Sequence, residues 1–182
     1  MALTELWRTD VFQSKTNRFI TSEQIIIQKD PRERYPNDKS AGVTLMLSPR
    51  IAKKVMSFVS QGERICWTHI RGPTYNLFVI VVYLSHRGRV SPSQEDTLAD
   101  LQKVLSQIPE RDYTCILGDI NEQLTGEVER ATDKWVGGAP SANSAKIIEF
   151  LQLNGLVAAN TMFKPKKYHS VCTFLQTAQK TT

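Results

Sequence analysis

The sequence has few cysteines, no long apolar run and no leader-like start. The longest apolar run spans 77–82, far short of the roughly 18 residues that a membrane helix needs. Two acidic residues among the first ten argue against a signal peptide. The cysteines are odd in number and too widely spaced for a disulfide framework or a zinc site: Cys66, Cys115 and Cys172. These absences predict an intracellular protein, nuclear or cytoplasmic, that does not enter a membrane.

Composition and length are those of a globular protein. The 182 residues include 41% apolar and 23% charged residues, enough for one domain with a real core. We predict one domain over 1–175 and a polar tail over 176–182. The net charge of +5 permits a polyanionic partner without requiring one, and it leaves the oligomeric state open.

The apolar pattern changes period along the chain, which predicts a mixed α/β architecture. The segment 76–83 is almost entirely apolar and β-branched, as in a strand buried on both faces, and it forms a predicted hairpin with 64–70. A charged, proline-containing loop is predicted over 29–40, and a long polar loop over 121–142. Strands are predicted at 2–7, 25–27, 43–47, 64–70, 76–83, 113–117, 156–159 and 171–175.

Two helices are predicted between strands. Ser91, with Pro92 and Gln94 after it, is typical of a helix start, and Pro109 would end that helix. Its predicted inner face consists of Leu98, Leu101, Leu105 and Ile108. Asn143 would cap the second helix, and Asn154-Gly155 would end it. The predicted inner face of the second helix consists of Ile147, Ile148 and Leu151.

The segment Gly118-Asp119-Ile120-Asn121 is the sharpest local signal for chemistry. It follows a buried strand, and a spacing of two puts Asp119 and Asn121 on one side of an extended chain. A carboxylate there can accept a proton from water, and an amide can donate to a phosphoryl oxygen. The alternative is a plain turn at a strand end, for which the same residue types are usual.

Other candidate residues also have two readings. Glu5 interrupts an apolar strand, either on a solvent face or as a ligand of a hard divalent ion. Tyr83 ends a strand and either donates to a phosphate or is a boundary tyrosine with a wet hydroxyl. His86 can reach the same strand-end surface. Three lysines lie beside an aromatic residue in a loop that is either solvated or a phosphate contact: Lys164, Lys166 and Lys167.

Together these segments resemble the endonuclease/exonuclease/phosphatase superfamily. Gly118-Asp119-Ile120-Asn121 resembles its Gly-Asp-Phe-Asn motif, and Val82-Tyr83-Leu84 resembles its strand-end tyrosine motif. Thr4-Glu5 and Thr173-Phe174 resemble its metal-binding glutamate strand and its Thr-Phe motif. The run 143–163 is similar to endonuclease domains of non-LTR retrotransposons and to the craniofacial development protein 2-like group derived from them.

The resemblance implies a four-layer α/β sandwich, with two facing mixed sheets flanked by helices, incomplete at both termini. It implies Mg²⁺-dependent hydrolysis of DNA phosphodiester bonds, with Mn²⁺ as the alternative ion, and catalysis by Asp119, Asn121, Tyr83 and Glu5. Glu5 would hold the metal. Substrate contacts would come from His86, Asn143, Lys164, Lys166, Lys167 and Thr173.

The sequence departs from the family pattern in ways that affect activity. No counterpart exists for the first asparagine motif or for the final Ser-Asp-His motif, and His86 stands where relatives often carry Asn or Thr. We therefore expect weak or lost nuclease activity in this chain. Two other functions stay open: an inactive remnant that binds nucleic acid or protein, and hydrolysis of a phosphoinositide or another small phosphoester.

Overall fold

The chain has an α/β fold in a computed structural model, which describes the side chains of residues 43–61, 64–85, 93–137, 139 and 141–164 and the backbone of three further strands. The chain divides into two compact units, Met1–Asn121 and Glu122–Thr182. The single domain over 1–175 stays a prediction. The elements of the first unit are β1 (Ala2–Thr4), β2 (Asn17–Ile20), β3 (Ile25–Gln28), β4 (Val43–Leu47), α1 (Pro49–Ala52), β5 (Val55–Gln61), β6 (Ile65–Ile70), β7 (Leu77–Tyr83), α2 (Gln94–Leu105) and β8 (Tyr113–Asp119). The second unit contains α3 (Ala142–Leu153) and a 3₁₀ turn (Ala159–Thr161).

The strands of the first unit form two four-stranded sheets. One has the order β1-β4-β3-β2 and is antiparallel throughout its described strands. The other has the order β5-β6-β7-β8 and is mixed, because β7 and β8 pair in parallel. Two mixed sheets were expected. Only the β5-β6-β7-β8 sheet is mixed, because the described strands of the other sheet are all antiparallel.

Buried apolar side chains of β4, β6 and β7 form the core of the first unit. The strand β7 is buried along nearly its whole length, as its apolar run predicts. A tight cluster joins residues of the three strands and of α1: Val43, Leu45, Leu47, Ala52, Cys66, Ile70, Val79, Val81 and Tyr83. Burial of this much branched apolar surface is the main term that stabilises the unit.

The helix α2 connects the parallel strands β7 and β8, and its start differs from the prediction. Ser93, not Ser91, is the N-cap, and it forms a capping box with Asp96. Hydrogen bonds from the backbone and then the side chain of Ser93 lower the pKa of the Asp96 carboxyl. The helix ends at Leu105 rather than at Pro109, because the last turn tightens before the proline. Its buried residues are Gln94, Thr97, Leu101 and Val104.

Two predictions for the second unit are wrong. Ser141 caps α3 by accepting a hydrogen bond from the Ser144 N–H at 3.0 Å, so Asn143 lies within the first turn. The predicted strand at 156–159 does not form, since its N–H groups bond to separate places, Leu156 to Leu151 and Ala158 to Ala131. The predicted end of the helix is confirmed, because Gly155 adopts a φ of +61°.

Most predicted strands are confirmed within a few residues, including the β6–β7 hairpin. Three short or irregular elements were not predicted from the sequence: β2, β5 and α1. The predicted loop at 29–40 and the strand at 171–175 lie outside the described residues. No helix in the described part of the chain has the length and apolar character to cross a membrane.

Burial makes the Cys66 thiol unreactive. The side chain is fully buried, and this raises its pKa from 9.0 to about 12. The reactive thiolate is therefore scarce at pH 8, and we expect alkylation of Cys66 to be about a hundredfold to a thousandfold slower than in the unfolded chain. Iodoacetamide labelling followed by mass spectrometry, with and without urea, measures this ratio. Equal labelling rates in the two conditions would contradict it.

A partly buried hydrogen-bond cluster lies where β7 and β8 begin. Asp112, whose side chain is 2% exposed, contacts His69 Nε2 at 3.0 Å and Asn76 Nδ2 at 3.4 Å. The His69 ring also stacks on Phe78. Removal of the carboxylate would leave the partly buried polar groups of His69 and Asn76 without this partner.

We therefore expect Asp112→Ala to lower the free energy of unfolding by about 1 to 3 kcal/mol. Chemical denaturation measures this change. Asp100→Ala is the matched control, since Asp100 forms an exposed pair with Lys103 and should change stability by less than about 1 kcal/mol. Equal losses in both variants would show that the Asp112 cluster contributes no more to stability than an exposed ion pair.

Candidate functional site

The carboxyl ends of β7 and β8 lie side by side. The parallel register pairs Val82 with Gly118 and Tyr83 with Asp119. Beyond this pair, the Leu84 N–H donates to the Asp119 carbonyl at 2.9 Å. The two segments singled out in the sequence, 82–84 and 118–121, are therefore adjacent at one edge of the sheet, where ligands commonly bind in α/β folds.

Gly118 allows the two strands to come this close. Its φ is +146°, and a Cβ atom at this position would overlap the carbonyl oxygen of Val82. A side chain at position 118 therefore requires the backbone of β7 or β8 to move. The glycine of the motif has a steric function, distinct from any chemistry of the polar residues after it.

The two polar side chains of the motif hold the turn that follows β8. The Asp119 Oδ1 accepts the Asn121 N–H at 2.8 Å, and Asn121 has a φ of +48°. The Asn121 Nδ2 donates to the Leu84 carbonyl at 2.7 Å, which ties this turn to the end of β7. Asp119 is exposed and Asn121 is half-buried. These contacts fix both side chains. A side-chain amide carries two N–H hydrogens and one carbonyl oxygen, so the Asn121 amide has a second hydrogen besides the one donated to Leu84.

Tyr83 is buried beneath an arginine. Its side chain is fully buried, the Arg64 Cζ lies 4.9 Å from its ring centroid, and its N–H donates to the Arg64 carbonyl at 2.9 Å. The guanidinium is itself almost fully buried. The ring therefore lies in the core rather than at a wet boundary, and a buried cation lies against the ring beside the strand end.

Arg64 was missed by the sequence analysis. Its signal is a charged residue directly before the alternating strand β6, where Glu63 and Arg64 together look like an ordinary solvated turn. In the structure, burial and packing against Tyr83 distinguish Arg64 from exposed arginines.

The second unit holds two of the predicted substrate residues. Asn143 is half-buried in α3, and Lys164 is exposed, with its Nζ 5.8 Å from the ring centroid of Trp135. Trp135, which the sequence analysis also missed, has a second cation near its ring, the Lys134 Nζ at 5.9 Å. The remaining predicted site residues lie outside the described residues: Glu5, His86, Lys166, Lys167 and Thr173.

The donors at the strand end suit a hard cation. The Asp119 carboxylate and the Asn121 amide supply oxygen atoms, which Mg²⁺ prefers, and Mg²⁺ needs only one or two carboxylates because it retains water ligands. Among the described residues, no group of three His, Cys, Asp or Glu side chains gathers to hold a metal.

No protein-family model matches the chain. It is similar to craniofacial development protein 2 from Bos taurus, with 29% identity over 128 residues, which is 68% of this chain and 21% of that protein. The same protein from Tragulus javanicus is 28% identical over 128 residues, with 68% and 22% covered. The chain therefore spans about a fifth of the length of these relatives.

Among solved structures, the endonuclease domain of TRAS1, a telomere-specific non-LTR retrotransposon, superimposes with a TM-score of 0.42 and 13% sequence identity. The match covers 80% of this chain and 55% of that one.

Proposed function

We propose that the chain is a metal-dependent phosphodiesterase domain that cuts DNA, of the retroelement endonuclease type. The observation that carries the proposal is the parallel pairing of Tyr83 with Asp119, reinforced by the hydrogen bond from Asn121 to the Leu84 carbonyl. This pairing brings together two segments that resemble separate motifs of one nuclease superfamily. The similarity to craniofacial development protein 2 supports the same family assignment.

Asp119 would act as the proton acceptor for the attacking water. Its carboxylate is exposed, so that water can reach it, and the Asn121 N–H fixes its orientation. Orientation matters because a general base works only within hydrogen-bond reach of the proton that it removes.

Asn121 would bind a phosphoryl oxygen with its second amide hydrogen, while the first stays on the Leu84 carbonyl. An amide held in this way is preorganised, and so it needs little rearrangement as charge develops on the phosphate.

Tyr83 would donate its hydroxyl to the same phosphate. The Arg64 guanidinium against the ring would add buried positive charge where negative charge develops. In the described conformation the tyrosine is fully buried, so this role requires the substrate or a neighbouring segment to open a path to its hydroxyl.

Mg²⁺, or Mn²⁺, is part of the proposal, with Glu5 as its ligand. When bound, such an ion polarises the scissile phosphate and offsets charge on the leaving oxygen. The contacts to the DNA backbone would come from His86, Asn143, Thr173 and the lysines at 164, 166 and 167. A four-layer sandwich, with helices outside the two sheets, is the architecture that this assignment implies.

Nicking of supercoiled plasmid tests the proposal. We expect slow nicking that requires Mg²⁺ or Mn²⁺ and stops when EDTA is added. Incubation with inositol phosphates under the same conditions tests the small-phosphoester alternative. Nicking that is unaffected by EDTA, or phosphate release from inositol phosphates with the plasmid intact, would overturn the assignment.

A second function has its own supporting observation. The side chains of Asp119 and Asn121 make the hydrogen bonds of an ordinary turn, which is also what an inactive remnant that binds nucleic acid would retain. Binding of plasmid without nicking, at any metal concentration, would favour this remnant over the nuclease.

A further inference from the structure

A tryptophan with two lysines forms a distinct surface in the second unit. Trp135 is half-buried, and the ammonium groups of Lys134 and Lys164 lie 5.9 Å and 5.8 Å from its ring centroid. We call these three residues the Trp135 cluster. Both distances are near the outer limit of about 6 Å for a cation over an aromatic ring, so each ammonium is held weakly and can exchange this contact for a stronger one.

The backbone beneath the cluster is fixed. The Trp135 N–H donates to the Thr161 carbonyl at 3.2 Å, and the Asp133 N–H donates to the Thr161 hydroxyl at 2.8 Å. Thr161 is itself buried, and its hydroxyl donates to the Ala158 carbonyl at 2.7 Å. The indole is therefore presented from a preorganised backbone, which lowers the entropy that a ligand must remove on binding.

The segment that supplies Lys164 adds apolar surface and charge. Phe163 is 72% exposed and Met162 is 44% exposed, large fractions for apolar side chains. In the sequence, Lys164 is followed by Pro165-Lys166-Lys167, so the run carries three positive charges. The Oδ1 of the neighbouring Asp133 accepts a hydrogen bond from the backbone N–H of Lys134 at 2.7 Å.

We propose that the Trp135 cluster binds an unpaired nucleotide, with the base on the indole and the adjacent phosphates on Lys134 and Lys164. Every base has a face that stacks on an aromatic ring, and phosphates are the anions that lysines hold in nucleic-acid complexes. The site would take single-stranded DNA with little sequence preference. This inference deepens the proposed nuclease function and rests on it for the choice of DNA, but binding at the cluster requires no catalysis.

The test is binding of a fluorescein-labelled oligothymidylate, measured by anisotropy in EDTA so that no cleavage occurs. We expect Trp135→Leu to weaken binding about 5- to 100-fold and Trp135→Phe, which retains an aromatic face, to keep most of the affinity. Trp67→Phe is the matched control, because Trp67 packs on Phe78 within the first unit. A deoxyribose-phosphate oligomer without bases should bind the wild-type chain about as weakly as oligothymidylate binds Trp135→Leu.

The lysines are tested by salt dependence. Each phosphate contact adds about 0.7 to the slope of log affinity against log salt for a single strand, so Lys134→Gln with Lys164→Gln should reduce the slope by about 1.4. Equal affinities for Trp135→Leu and wild type, an unchanged slope, or tighter binding of polyglutamate than of oligothymidylate would overturn the proposal. Oligothymidylate binding without plasmid nicking would refute the nuclease and support this site. Plasmid nicking, together with wild-type affinity of Trp135→Leu for oligothymidylate, would support the nuclease and refute this site.

Discussion

Substitution of Asp119 is expected to reduce plasmid nicking by about a hundredfold to ten-thousandfold, because it removes the proposed proton acceptor. Two variants separate the chemistry from the fold. Asp119→Ala loses both the carboxylate and the hydrogen bond to the Asn121 N–H, whereas Asp119→Asn retains an oxygen that can accept this bond. Both should lose nicking, and only the alanine variant should also lose stability.

The rate of nicking and the urea midpoint are measured on the same preparations. Asp100→Asn is the control, since it neutralises an exposed carboxylate on α2 that pairs with Lys103. It should nick at the wild-type rate. Wild-type nicking by Asp119→Asn would remove Asp119 from the chemistry and leave it only the role of holding the turn.

Gly118→Ala is expected to give the largest loss of stability, about 3 to 5 kcal/mol, from the overlap of a Cβ with the Val82 carbonyl and from the positive φ. Relief of this overlap requires β8 to move away from β7. Nicking should also fall, because Asp119 and Asn121 would move with the backbone. Urea denaturation gives the change in free energy of unfolding.

Two other glycines separate steric overlap from backbone strain. Gly126 and Gly155 also have positive φ values, +74° and +61°, but nothing lies within 4 Å of a Cβ added at either position. Alanine there should destabilise by only about 1 to 2 kcal/mol. If Gly118→Ala destabilises no more than these two controls, the strands do not approach as closely as the structure describes.

The strands of the core could be predicted because their residues are unambiguous. The run 77–82 is apolar and β-branched throughout, and 65–70 alternates, so β7 and β6 follow from pattern alone. The strand β5 was missed because Ser57, Ser60 and Gln61 interrupt its apolar residues and a bulge between Val55 and Ser57 breaks the alternation.

Local capping could be predicted only in kind. Ser91 and Ser93 both lie near the start of α2, and both are followed three residues later by a side chain that can reach back, Gln94 or Asp96. The structure selects Ser93, whose N–H donates to the Asp96 carboxylate at 3.0 Å. A charged acceptor makes the stronger hydrogen bond, and this was a usable signal.

The arrangement of the candidate site lay beyond sequence reasoning. The segment 118–121 predicted a strand end followed by two polar residues. The strand that pairs with β8, and the register of that pairing, depend on the path of the chain through α2. The position of Arg64 against Tyr83 likewise depends on the pairing of distant segments. For Glu5, which lies outside the described residues, the proposed metal contact stays a prediction.

The pairing of β7 with β8 is fastened by side chains at both ends. At the start, Asn76 and Asp112, 36 residues apart, are hydrogen-bonded, and at the finish Asn121 reaches Leu84, 37 residues away. Sliding one strand past its neighbour would break both fastenings together, and a shift by one residue would also turn the apolar faces outward. The register of β7 against β8 is therefore specified at both ends of the pair. A strand pairing shifted by any number of residues would lose the Asn76–Asp112 and the Asn121–Leu84 hydrogen bonds at the same time.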